Sequence, residues 1–226
     1  VEICMRFGGE SVFFDPTNPA ARRYVWDKCR QNYYDKCIRV FWLDEAEPEY
    51  LGYDYDNYRY YLGPDNQIGN VYPQYFSRTF YDGLKEQGEK DVVNLVRCAW
   101  AGSQRYGALV WSGDVPSTFT YLRYQLTAGL NMGIAGIPWW TTDIGGFSGG
   151  RPEDKQFQQL LVRWFEWGCF CPVMRLHGDR ECDDRRVFHA DGSPALFTGG
   201  NNEVWSFGEA NEKILTSYIF LRELMR

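Results

Sequence analysis

The 226-residue chain is 44% apolar, enough to close a sizeable core, and carries a net charge of −6. An acidic balance offers phosphates no basic patch, which excludes nucleic acid as the expected partner. No apolar run is long enough to span a bilayer, and no signal-peptide pattern opens the chain.

In chain order, Ser11-Val12-Phe13-Phe14 is strand-like and runs into Asp15-Pro16-Thr17. Asn18-Pro19 then predicts a helix start, with Asn as cap and Pro at the first helical position. Ala21, Val25, Cys29 and Tyr33 give that helix an apolar side and it should end near Lys36. Ile38 to Leu43 reads as a short buried strand, and it stops in three acids within four positions, Asp44, Glu45 and Glu47. A tyrosine-rich loop over 48–73 follows, with seven tyrosines between Tyr50 and Tyr72, long enough to suggest a functional rim. Gln74 to Glu89 predicts a helix resting on Phe76, Phe80 and Leu84, and Val92 to Val96 a strand that delivers Arg97. Ala108 to Trp111 is another buried strand, ending in Ser112-Gly113-Asp114.

Ser117 is then expected to cap a helix with Phe119, Leu122, Leu126 and Leu130 inward. An apolar strand over Ile134 to Thr142 ends at Asp143, and the glycine pairs that follow lack the spacing of a phosphate-binding loop. Pro152 to Gly168 predicts a helix burying Phe157, Leu160, Leu161, Trp164 and Phe165. Residues 185–210 read as a small β excursion with Asp191-Gly192 at its turn. Asn211 to Arg226 is a last helix, with Ile214, Tyr218 and Leu221 on one face and Leu215 and Ile219 alongside.

Helix feeding into strand is the rhythm of a parallel α/β fold. Four to five such units, around Asp44, Arg97, Asp114 and Asp143, make residues 1–226 part of a (β/α)8 TIM barrel, an incomplete one since closure needs eight. The chain opens at Val1 and stops inside a helix, so a processed chain or a piece of a longer one is expected. An open half-barrel has unpaired edges that invite aggregation or homo-oligomeric association, and the isolated piece is expected to be inactive or poorly folded.

Parallel strands present functional groups at their carboxyl ends. Two strand ends bearing Asp44 and Asp114 therefore place a pair of carboxylates where a glycosidic bond can be cleaved, one ionised and one holding a proton. Arg97 beside them suits sugar hydroxyls or a structural ion pair. The 18% aromatic content suits both a large core and the apolar face of a pyranose. Seven cysteines, odd in number and without scaffold spacing, favour free thiols and a cytoplasmic setting. Cys169-x-Cys171 with His177 and Cys182 lacks the C-x-x-C pairs of structural zinc, so no metal is expected.

The run Trp42-Leu43-Asp44-Glu45-Ala46-Glu47 resembles the W-x-D-M-N-E signature of glycoside hydrolase family 31, the α-glucosidase and α-xylosidase family. Trp111-Ser112-Gly113-Asp114 is similar to its W-x-G-D acid/base motif, and Arg97 to Arg105 to its R-S-x-x-x-G-x-Q-R pattern. Asp143-Ile144-Gly145-Gly146-Phe147 and Met174-Arg175-Leu176-His177 resemble its D-x-x-G-F loop and R-x-H segment. The resemblance implies a retaining exo-acting α-glycosidase acting on an oligosaccharide or α-glycoside without a cofactor. Asp44 would be the nucleophile and Asp114 the acid/base, with carboxyl groups about 5–5.5 Å apart. Trp42, Glu47, Arg97, Trp111, Asp143, Phe147 and His177 would contact the sugar; His189 has no such support. Glu45 and Ala46 depart from the signature in the direction of the α-xylosidase branch. A non-catalytic carbohydrate-binding protein, a sulfoquinovosidase and a transglycosidase are the alternatives.

Overall fold

The computed structural model describes residues 4–5, 11–47, 56–183, 186–188, 190–197 and 199–225. The chain forms two compact units, Val1–Trp111 and Ser112–Arg226.

In the first unit β1 (Cys4–Met5) and β2 (Ser11–Val12) pair antiparallel. Helix α1 (Pro19–Asn32) starts as expected, with the Asn18 side chain accepting from the Ala20 N–H at 2.9 Å and Pro19 in the first turn. It ends earlier than predicted, and a 3-10 turn over Tyr34–Lys36 completes the segment. Its anchor is Trp26, which is buried, whereas Tyr33 on the expected apolar side is exposed. Strand β3 covers only Trp42–Leu43; Ile38 and Val40 are exposed and outside it. Apolar β-branched residues favour a strand, but the ladder forms only where a partner lies alongside.

The tyrosine-rich stretch is not a bare loop in its described part. It holds a hairpin, β4 (Arg59–Tyr60) with β5 (Gly63–Pro64), and the short α2 (Asp65–Ile68); residues 48–55 lie outside the described residues. Tyr72 is buried and donates to Phe14 O at 3.1 Å, and Tyr60 packs on it; Tyr61 is exposed. Helix α3 (Tyr72–Glu86) buries Phe80 and Leu84, with Phe76 stacked on Phe80. β6 (Asn94–Val96) pairs parallel with β3 on one side and with β7 (Ala108–Trp111) on the other.

The Trp26 ring lies across Gly83 of α3, where an added Cβ would come within 2.1 Å of it. Overfilling a packed contact costs about 1–3 kcal/mol. Gly83→Ala is therefore expected to lower the unfolding free energy by that amount and so to bring the midpoint of an equilibrium urea titration down, and an unchanged midpoint would refute the packing account.

In the second unit α4 (Phe119–Ile134) is capped by Thr118, not Ser117: its hydroxyl accepts from the Tyr121 N–H at 3.3 Å. Only Leu122 and Gln125 of α4 are buried; Phe119, Leu126 and Leu130 are exposed, against the predicted inward face. β8 is just Trp140–Thr141, because Ile134 finishes the helix. α5 (Lys155–Phe170), capped by Asp154, buries the five residues predicted for it. β9 (Arg186–Phe188) and β10 (Pro194–Phe197) form the expected hairpin, with Gly192 at φ +82° in its turn. α6 (Glu209–Leu224) packs through Leu215, with Tyr218 against the same cluster, while Ile214, Ile219 and Leu221 are exposed. Val115, Leu122, Leu161, Trp164, Phe207 and Leu215 belong to one core cluster of this unit.

The six cysteines from Cys29 to Cys182 are free thiols. Among the described residues, no group of His, Cys, Asp and Glu is arranged to hold a metal ion, and no helix is long and apolar enough to cross a membrane.

Candidate active site

The parallel register of β3 and β6 sets the first unit's share of the site. Leu95 N–H donates to Phe41 O at 3.0 Å and Arg97 N–H to Leu43 O at 3.3 Å, which carries Arg97 past the strand end beside Asp44. Its guanidinium reaches three acids: Glu45 Oε1 at 2.7 Å, Glu47 Oε1 at 2.9 Å and Asp44 Oδ1 at 3.5 Å. The sequence suggested a sugar contact or one ion pair for Arg97, but it is the hub of the whole acidic run.

Exposure separates the acids. The Asp44 side chain is 50% exposed, against 25% for Glu45 and 29% for Glu47, so Asp44 is the one most open to a substrate. Glu45 sits at φ +51°, a left-handed conformation that costs a non-glycine residue about 1–2 kcal/mol, and its N–H donates to Asp44 Oδ1 at 2.9 Å. Strain of that kind gathers at functional sites. Burial and the Glu47 carboxylate push the neighbouring Cys98 thiol well above its ordinary range. It is thereby kept as a neutral thiol. Trp42 is half-exposed and meets Trp111 edge to face, with centroids 5.6 Å apart; Trp111 itself is buried and backs the outer ring.

The second unit brings together Asp114, Asp143, Phe147 and His177. Gly113 takes φ +75°, and Asp114 after it is exposed. Residues 115–117, 147–148 and 179 lie parallel. Phe147 N–H donates to Val115 O at 2.7 Å, Ser117 N–H to Ser148 O at 3.0 Å, and Asp179 N–H to Phe147 O at 2.7 Å. This register stacks the Phe147 and His177 rings, with centroids 5.6 Å apart and planes inclined by 29°. Both residues are half-buried. His189 lies outside the described residues.

Asp143, expected at a sugar hydroxyl, is instead fully buried. Its Oδ1 accepts from Arg175, while Oδ2 has no hydrogen-bond partner. Burial pushes its carboxyl up to about 7 from the ordinary 3.8, helped by the charge of Asp114 and opposed by Arg175 and Arg180. The folded chain therefore binds more protons at this carboxyl than the unfolded chain does between pH 4 and 7. Its stabilising contribution is full below about pH 4 and is lost as pH rises through about 7. The melting temperature should fall across that window, and Asp143→Asn should flatten the slope; an Asp143→Asn profile parallel to that of the unaltered protein would contradict this.

Arg180 lies in the charged stretch Asp179-Arg180-Glu181, to which the sequence assigned no role. It is fully buried, and burial lowers its pKa to about 10 against the pull of Asp143 and Asp179. The glycines around it were the available signal. An added Cβ at Gly145 or Gly178 would come within 2.8 or 2.5 Å of its guanidinium.

Comparison with known proteins gives a consistent picture. The model of the glycosyl hydrolases family 31 TIM-barrel domain matches residues 3–225. The chain is 61% identical over 181 residues to an uncharacterized family 31 glucosidase from Pseudescherichia vulneris, covering 80% of this chain and 34% of that protein. It is 34% identical over 238 residues to alpha-xylosidase A of Aspergillus niger, covering 92% of this chain and 31% of the relative. Among solved structures, a GH31 alpha-xylosidase from a soil metagenome complexed with xylose superposes with a TM-score of 0.90 at 58% identity. That superposition covers 98% of this chain and 33% of the other. The chain thus spans about a third of the length of these relatives, and its fold is an α/β part of a TIM barrel.

Proposed function

Because the chain belongs to glycoside hydrolase family 31, we propose that the whole protein is a retaining, exo-acting α-glycoside hydrolase, an α-xylosidase before an α-glucosidase. The observation that carries this reading is the cluster at the end of β3. Three acids share one arginine there, and only Asp44 is left half open. The preference for a xyloside draws on the 58% identical α-xylosidase solved with xylose.

In this reading the Asp44 carboxylate attacks the anomeric carbon as the bond to the leaving oxygen breaks, and Asp114 gives that oxygen a proton. Asp114, now a carboxylate, takes a proton from water. The resulting hydroxide attacks the same carbon and expels Asp44, so two inversions give net retention. Trp42 and Phe147 flank the sugar, with Trp111 behind Trp42. Arg97 and His177 hold its hydroxyls, and Glu47 holds Arg97 in place. Asp143 acts at one remove, through Arg175 and through its charge on Asp114. The scheme draws on side chains alone.

Proton NMR of the first-formed product tests the stereochemical half of this proposal. An aryl α-xyloside should release α-xylose first, with the β anomer growing in only by mutarotation, whereas β-xylose at the outset would mean inversion. Comparing kcat/KM for the xyloside and the matching glucoside separates the two substrate readings.

A further inference from the structure

Arg180 takes no part in the chemistry proposed above, yet it is a fully buried cation. Burying a charge is costly unless its hydrogen bonds are supplied. Here the acceptors come from separate stretches of the second unit. Nε donates to Asn202 Oδ1 at 2.8 Å, and Nη1 to Ser117 Oγ and Gly149 O, each at 3.1 Å. Nη2 donates to Ile144 O at 2.9 Å, with longer contacts of 3.5 Å from Nη1 to Gly145 O and from Nη2 to His177 O. The guanidinium also lies over the Phe157 ring at 4.8 Å.

The carbonyls it gathers belong to the two segments that carry Phe147 and His177. Residues 144–149 form the glycine-rich loop around Phe147, and the 177 carbonyl is that of the histidine. The two segments also meet through backbone bonds along one edge, Ile144 N–H to Arg175 O at 3.3 Å, Asp179 N–H to Phe147 O at 2.7 Å, Gly149 N–H to Asp179 O at 3.3 Å and Glu181 N–H to Gly150 O at 3.0 Å, and the guanidinium joins them from the buried side. A planar fork of five donors can join several acceptors at once; a lysine ammonium cannot match that geometry.

From this geometry we infer that Arg180 is a positioning residue. It sets the glycine loop against the 175–181 segment and so fixes the Phe147–His177 pair as one wall of the sugar pocket. The inference rests on the proposed function for its catalytic consequence and stands on the geometry alone for its structural one.

The test uses Arg180→Ala and Arg180→Lys in the whole protein. Both should lower kcat/KM for an aryl α-xyloside by about 10²-fold, as for a misplaced binding group, with most of the loss in KM. A purely stabilising arginine would behave differently: losing folded protein lowers kcat per total enzyme and leaves KM alone. Added guanidinium at non-denaturing concentration should restore Arg180→Ala severalfold, and ammonium should not. In parallel, the Ser117, Gly149 and Asp179 amides should exchange with deuterium faster in both variants.

A native KM in the folded Arg180→Lys protein would overturn the inference, and that variant decides if Arg180→Ala does not fold. Should the unaltered protein hydrolyse no α-glycoside, the proposed function falls and exchange alone decides on Arg180. Faster exchange at those amides would then support the inference, and unchanged exchange would overturn it.

Discussion

Asp44→Asn should abolish turnover of α-glycosides by the whole protein while leaving it folded, with kcat/KM down on the order of 10⁴-fold or more, as for other catalytic groups removed singly. The amide keeps the shape of the side chain and an oxygen to face Arg97 Nη1, which lies 3.5 Å away, so the strand end should not rearrange. What is lost is the charged oxygen that attacks. Glu45 is next in sequence but cannot step in. Its carboxylate is held by Arg97 at 2.7 Å, and its backbone at φ +51° fixes it in that role. Glu47 is engaged on the other side of the same guanidinium at 2.9 Å. Steady-state rates on an aryl α-xyloside, with circular dichroism to verify folding, measure the effect. Residual activity within tenfold of the unaltered protein would place the nucleophile elsewhere.

Asp114→Ala should show the second largest effect, and its size should depend on the substrate. A general acid contributes about 10²–10⁴-fold when the leaving group needs a proton and little when it does not. The loss should therefore be large for an alkyl xyloside and small in the first step for a dinitrophenyl xyloside. Added azide needs no general base, so it should accelerate the second step and yield the α-glycosyl azide. Equal losses across leaving groups, with no azide product, would show that Asp114 is not the proton donor. Asp114 is exposed after Gly113, which leaves room for water and azide alike.

Much of this site could be read from the chain before any coordinates, because its parts are local. Asn18-Pro19 starts α1 through a cap and a missing N–H that need no tertiary partner. The buried row of α5 follows from helical spacing alone. Asp44, Arg97 and Asp114 follow strands, and their motifs stand in a family order.

Other features depend on what lies alongside. Ile38 and Val40 have the residue types of a strand and are exposed, since propensity does not say which residues find a ladder. On α4 the spacing pointed to Phe119, Leu122, Leu126 and Leu130, and of these packing buries only Leu122, with Gln125 beside it. Charges were the least legible. The resemblance implied sugar contacts for Glu47 and Asp143 and nothing for Arg180, because a letter does not say whether a charge has been taken out of water. Only the distances around Arg97 and Arg180 and the burial of Asp143 assign them.

Trapping the intermediate addresses the nucleophile most directly. Incubating the whole protein with a 5-fluoro-α-xylosyl fluoride, then digesting it and analysing the peptides by mass spectrometry, should find one glycosyl ester, on Asp44. A label on another carboxylate, or turnover of the fluoride with no covalent adduct, would contradict the account.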